Sequence, residues 1–133
     1  MTDTDVEFAL QARLAQITVD FPELTIVYEN KISNPPRPYL YVEHVPTGQT
    51  DPTLTGGHKT SAGFMAVSIV IGQDQFVTDA RRITDAIEAL FPYPTLISLT
   101  DGKVTIDRPV RRIKGYQSGM DYLMPLNIYY QAN

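Results

Sequence analysis

With 133 residues, 43% hydrophobic and 20% charged, the chain has the size and composition of one globular domain rather than of a disordered segment. Fifteen acids against eleven bases leave a net charge of −4, which argues against wholesale coating of nucleic acid, and the absence of cysteine excludes disulfides, thiolate metal sites and thiol nucleophiles. The longest apolar run, Met65 to Ile71 broken by Ser68, is far too short to cross a bilayer, and the acidic start MTDTDVEF lacks the basic region of a signal peptide, so a soluble, intracellular, single-domain protein over residues 1–133 is expected.

The first predicted element is a helix. Thr4 and Glu7 stand at capping-box spacing, and Val6, Leu10, Leu14 and Ile17 form one apolar stripe that ends at Phe21-Pro22. Leu24 to Glu29, LTIVYE, reads as a short β-branched strand. Residues 30–38 hold three prolines and two asparagines, which disfavours any regular element. Tyr39 to Val45 is a strand with Leu40 and Val42 on one face and Tyr39, Tyr41 and Glu43 on the other. Residues 46–60, PTGQTDPTLTGGHKT, form the longest predicted loop, and loops of that length inside small domains are commonly functional.

Ala62 to Gly72 follows as the most apolar strand. Met65, Val67, Ile69 and Ile71 fill one face and Phe64, Ala66, Ser68 and Val70 the other, which suits a central position. Asp74 to Phe91 is the clearest helix, with Phe76, Ala80, Ile83, Ile87 and Leu90 as its stripe and Asp79, Arg82, Asp85 and Glu88 off it. Leu96 to Thr100 and Lys103 to Asp107 flank Asp101-Gly102, a pair suited to a tight hairpin turn. Tyr122 to Tyr130 is the last strand; Pro125 cannot donate to a ladder, so an edge position or a bulge is expected there. The order α-β-β-β-α-β-β-β implies an α+β domain with two helices on one mainly antiparallel sheet.

The search for chemistry returns little. Two isolated histidines, His44 and His58, supply neither a metal triad nor a hydrolase triad. His44 reads as structural and His58 as solvated. Gly57-His58-Lys59-Thr60 fails as a phosphate loop because the histidine interrupts it and no strand–helix context frames it. The pairs Asp101/Asp107 and Asp79/Asp85 read as turn chemistry and a wet helix face. No nucleophile elbow and no Gly-x-Gly-x-x-Gly occurs. The expectation is no catalytic residue, no metal and no cofactor.

One charge feature stands out. Lys103, Arg108, Arg111, Arg112 and Lys114 place five bases within twelve residues against Asp107 alone, leaving six bases and fourteen acids elsewhere. This basic edge is read three ways: a solvated edge paired with the protein's own acids, a seam meeting an acidic neighbouring subunit, or a contact to phosphates. The overall acidity favours the seam over the phosphates. Eight tyrosines, six of them in or beside strands, suit a protein–protein surface or the core.

Nearly the whole chain, from about residue 5 to 130, resembles the tail terminator proteins of long-tailed bacteriophages and phage-derived particles, the lambda-type minor tail proteins and their relatives. The resemblance rests on the first helix up to Phe21-Pro22, LTIVYEN, the proline-rich turn, PYLYVEHVP, TLTGGHKTSAGFMAVSIVIG, DARRITDAIEALFP and MDYLMPLNIYYQ. It implies a non-enzymatic α+β protein that forms a ring, typically of six subunits, on the finished tail tube. Such a ring stops tube polymerisation and joins the head connector. The implied partners are further copies of the chain, the tail tube protein and the head-connector or stopper protein, with DNA only passing through the lumen and no membrane. The implied location is the virion tail, assembled in the bacterial cytoplasm.

The loop Thr47–Thr60 matches the family's long loop, which makes Thr53, Leu54, His58 and Lys59 candidates for reaching a neighbour or the tube. Arg108, Arg111, Arg112 and Lys114 match a region whose charge varies, so their role stays open between seam and solvated edge. The alternatives are another connector or tube component, a small nucleic-acid-binding module using Arg108 to Lys114 with Tyr116, and a small-molecule enzyme, which would need a buried acid–base pair in a pocket.

Overall fold

A computed structural model describes residues 3–29, 31, 35–50, 60–72, 75–99 and 102–133. The N-terminal stripe folds as expected but in two pieces, α1 (Asp3–Leu14) and α2 (Ile17–Asp20). At Gln16 the bonding tightens to the third residue back, its N–H reaching the Arg13 carbonyl at 3.2 Å, and this ends the first helix. Val6, Leu10, Leu14 and Ile17 are all buried. Asp3 is already helical, so Thr4 lies inside the helix rather than at its cap, and Glu7 instead accepts from Gln11 at 3.2 Å. Helix α3 (Val77–Leu90) buries Ala80, Ile83, Thr84 and Ile87. Phe76, expected on that stripe, sits at the N-cap in extended conformation and is 77% exposed; Phe91 at the other end fills the core instead.

The strands are β1 (Thr25–Tyr28), β2 (Tyr39–Thr50), β3 (Thr60–Gly72), β4 (Thr95–Leu99), β5 (Gly102–Ile106), β6 (Arg111–Arg112), β7 (Tyr116–Ser118) and β8 (Asp121–Ala132). They make one sheet in the order β1-β2-β3-β8-β5-β4, with β6 and β7 also paired to β8. Every pairing is antiparallel except β1 with β2. Helices on a mainly antiparallel sheet make this an α+β fold, as the sequence implied, with the first expected helix split into α1 and α2. Among the described residues no helix is long and apolar enough to cross a membrane.

The core lies between the helices and one sheet face, formed by Leu40, Val42, Met65, Val67, Ile69, Ile71, Leu126, Ile128 and Tyr130. Each such aliphatic side chain contributes about 1.5–3 kcal/mol on burial, which is what holds helices of only moderate propensity in place. β3 is central, flanked along its length by β2 and β8.

Three expectations about the strands and their connections also need correction. The predicted loop 46–60 is much shorter, because β2 runs on through a register shift at Pro46/Gly48 to Thr50, opposite Thr60 on β3. Pro125 lies on neither an outer strand nor a bulge of β8. Its carbonyl accepts from Ile113 at 3.0 Å, and a strand residue directs N–H and C=O to the same neighbour, so the missing donor faces the gap between β6 and β7. Gly102 belongs to β5 opposite Leu99 instead of forming the turn, and Asp101 lies outside the described residues.

At one end of the core face Tyr130 reaches across β3 to His44, its hydroxyl 2.9 Å from Nε2 and the two rings stacked. The crossing requires Gly63, directly opposite Tyr130, because a β-carbon there would stand 2.8 Å from the hydroxyl and 2.6 Å from the Val45 carbonyl oxygen. His44 is thus a packed structural residue. The β7–β8 turn likewise needs Gly119, whose φ is +62°.

Candidate assembly surface

The helices lie on one sheet face, and among the described residues no helix covers the other, whose side chains are mostly half-buried, Val70 fully so. Register places Val45, Phe64 and Tyr129 in one row there, Glu43, Ala66, Asn127 and Arg111 in the next, and Tyr41, Ser68 and Pro125 beyond. Residues on such a face alternate with core residues along each strand, which is why Tyr129 and Tyr130 have opposite fates.

The basic segment is split by this alternation. Arg112 lies opposite buried Leu126 and turns to the helix side, where its Nε donates to Glu88 Oε1 at 2.6 Å and its Nη2 to Asp85 Oδ1 at 2.6 Å and Glu88 Oε2 at 2.9 Å. Asp85 and Glu88 stand three apart on one face of α3, the spacing that lets both reach one guanidinium. Its hydrogen bonds to Glu88 and then to Asp85 push the Arg112 pKa up, so the charge is permanent. Arg112 therefore ties β6 to α3.

Arg108 and Arg111 take the other side. The Arg108 guanidinium lies 4.4 Å from the centroid of the Tyr129 ring, which in turn packs against Phe64 at 5.4 Å. Asn127 donates to the Tyr129 hydroxyl at 3.4 Å, and this bond, followed by the contact with Arg111, lowers the pKa of that hydroxyl. Asp107 meets Arg108 at 3.6 Å, an ion contact too long for a hydrogen bond. Lys114 is exposed, and Ile113, Tyr116 and Met120 add exposed apolar surface along the same segment.

At the far end of the face Arg37 holds Asp121 through two bonds of 2.7 and 2.8 Å, and its guanidinium lies 5.4 Å from the Tyr39 ring centroid. The Arg37 hydrogen bond keeps the Asp121 carboxyl below its ordinary range.

Of the residues singled out in the sequence, Arg108 and Arg111 fall on the outer face, Arg112 turns to the helix side, and Lys114 is exposed beyond the end of β6. Thr53, Leu54, His58 and Lys59 lie outside the described residues. Tyr129, Asn127 and Phe64, which organise the arginines, were not singled out as a group. Strand alternation in β8 was the available signal for them. Among the described residues no three His, Asp or Glu side chains converge as a metal site. What the surface offers is exposed guanidinium charge, aromatic faces and a phenolic hydroxyl, which is the chemistry of binding an acidic or polar partner surface.

A family model described as Phage tail terminator protein matches residues 5–130. No curated protein matches the chain. A solved chain that carries no descriptive name superimposes with a TM-score of 0.83 at 20% sequence identity, covering 100% of this chain and 96% of its own length, and so shares the fold.

Proposed function

This chain belongs to the phage tail terminator family, a family of structural proteins of the phage tail, and on that premise we propose that it assembles head to tail into a ring that caps the finished tail tube. The ring ends tube polymerisation and presents the joint to the head connector. Its six-fold symmetry, like the connector joint, rests on resemblance to the family. The partners are other copies of the chain, the tube protein and the connector, and DNA passes through the lumen only as cargo. Assembly takes place in the bacterial cytoplasm, and the protein performs no catalysis.

One observation supports the surface assignment most strongly. Arg108 and Arg111 stand exposed on an uncovered sheet face of a chain that is otherwise acidic. A head-to-tail contact pairs two different surfaces of the same molecule and closes when the rotation per subunit divides the circle. The basic strip of Arg108, Arg111 and Lys114 supplies one such surface and the acidic remainder the other. Thr53, Leu54, His58 and Lys59 are assigned to the contact with a neighbour or the tube.

The test is electron microscopy of purified tail tubes extended from tube subunits with and without the chain. The reading predicts closed rings at tube ends and arrested growth. Unchanged tube lengths and bare ends would contradict it. Salt-sensitive binding to duplex DNA in place of tube binding would favour a nucleic-acid role for the same arginines.

A further inference from the structure

Strand edges with unpaired N–H and C=O groups recruit other strands unless they are guarded by charge, proline or shortness. The free edge along β6 and β7 is guarded, since those strands are two and three residues long and carry Arg111 and Arg112, with Lys114 between them. The two strands at the ends of the sheet are not. β4 reads Thr-Leu-Ile-Ser-Leu and β1 Thr-Ile-Val-Tyr, neither contains a charged residue or proline, and among the described residues each has a strand neighbour on one side only, the Tyr28 carbonyl alone being taken, by the Lys31 N–H at 3.2 Å. Leu96 in β4 is 55% exposed, and Tyr93 just before it is exposed as well.

Resting on the ring reading, we propose that β4 of one copy pairs with β1 of the next, so that the sheet continues from subunit to subunit. Following the pairings from β1 through β2, β3, β8 and β5 to β4, the two end strands point the same way. Their union is therefore parallel and head to tail. It repeats with each added copy, whereas β4 against β4 would close a pair and stop. The strands match in length, at five and four residues.

The backbone identifies which groups are in play. Leu99 and Gly102 are the last pair of the β4–β5 hairpin and exchange hydrogen bonds, so alternation turns the N–H and C=O of Leu96 and Ser98 away from β5. On β1, Glu29 donates to the Val42 carbonyl, so Ile26 and Tyr28 direct their N–H groups to the open side. Four amides thus report on the joint.

The experiment is hydrogen exchange on the wild-type chain, free and assembled on tail tubes, beside the variant Ser98→Pro. Proline at an outward position of an edge strand leaves the bonds to β5 in place. The amides of Leu96, Ser98, Ile26 and Tyr28 should exchange at least tenfold more slowly in the assembled state. Ser98→Pro should keep its circular dichroism yet fail to assemble. Assembly with all four amides still fast would overturn the proposal while leaving the ring reading standing, and so would protection of Leu96 and Ser98 without Ile26 and Tyr28. Absence of any assembly by the wild type, with or without tubes, would overturn both. Should Ser98→Pro not fold, the wild-type exchange pattern decides alone.

Discussion

Arg111 and Arg112 are adjacent in sequence, identical in chemistry and separated in role by the pleat of one short strand. Arg112 turns to the helix side and is consumed by Asp85 and Glu88, two acids of its own chain. Arg111 turns to the uncovered face and joins Arg108 around Tyr129. A cluster of bases in a sequence is therefore not yet a basic patch. Local backbone geometry decides which of its charges are offered to a partner, and the same cluster here serves as both an internal tie and an exposed surface.

The largest effect expected is on the helix side. Ile83→Asp places an unpaired carboxylate among buried side chains of α3 and should cost about 4 kcal/mol or more, enough to unfold the domain in a denaturant titration. Gly63→Ala should follow, at about 1–3 kcal/mol, because the new methyl collides with the Val45 carbonyl and the Tyr130 hydroxyl; a thermal melt beside Tyr130→Phe would separate the two collisions. Arg112→Ala should cost only about 1 kcal/mol, since its partners are largely exposed, and should loosen β6 without altering assembly of the folded fraction.

Asp121→Asn sharpens the account of the far end of the outer face. The folded pKa of Asp121 is lowered, so its stabilising effect is present above the ordinary carboxylate value of about 4 and is lost as pH falls through the folded value. The variant should flatten that acid-side loss, as followed by unfolding free energy against pH. The smallest effect is spectroscopic: Arg111→Gln removes a group that lowers the Tyr129 pKa, so the tyrosinate absorbance of that ring should appear at higher pH.

Much of the fold was legible in the sequence because burial imposes periodicity. The helix stripes from Val6 to Ile17 and from Ala80 to Ile87, and the alternation in β3 up to Ile69, each mark a buried face. Phe76 was misplaced because a large apolar residue one position before a helix looks like part of its stripe, while an N-cap in extended conformation points elsewhere. Strands β6 and β7 left no period to detect, being two and three residues long and paired with β8. Without them nothing in the run Arg108 to Lys114 distinguishes Arg111 from Arg112. The extension of β2 to Thr50 was hidden for another reason: Pro46 and Gly48 read as loop residues, and the pairing absorbs them by a register shift.

The most direct measurement is the mass of the chain in solution across a concentration series, and on tail tubes, for the wild type, Arg108→Glu/Arg111→Glu and Arg112→Gln. The account predicts closed rings for the wild type and for folded Arg112→Gln, and loss of assembly with unchanged folding for the double charge reversal. Equal assembly of all three would contradict the claim that the outward arginines form the seam.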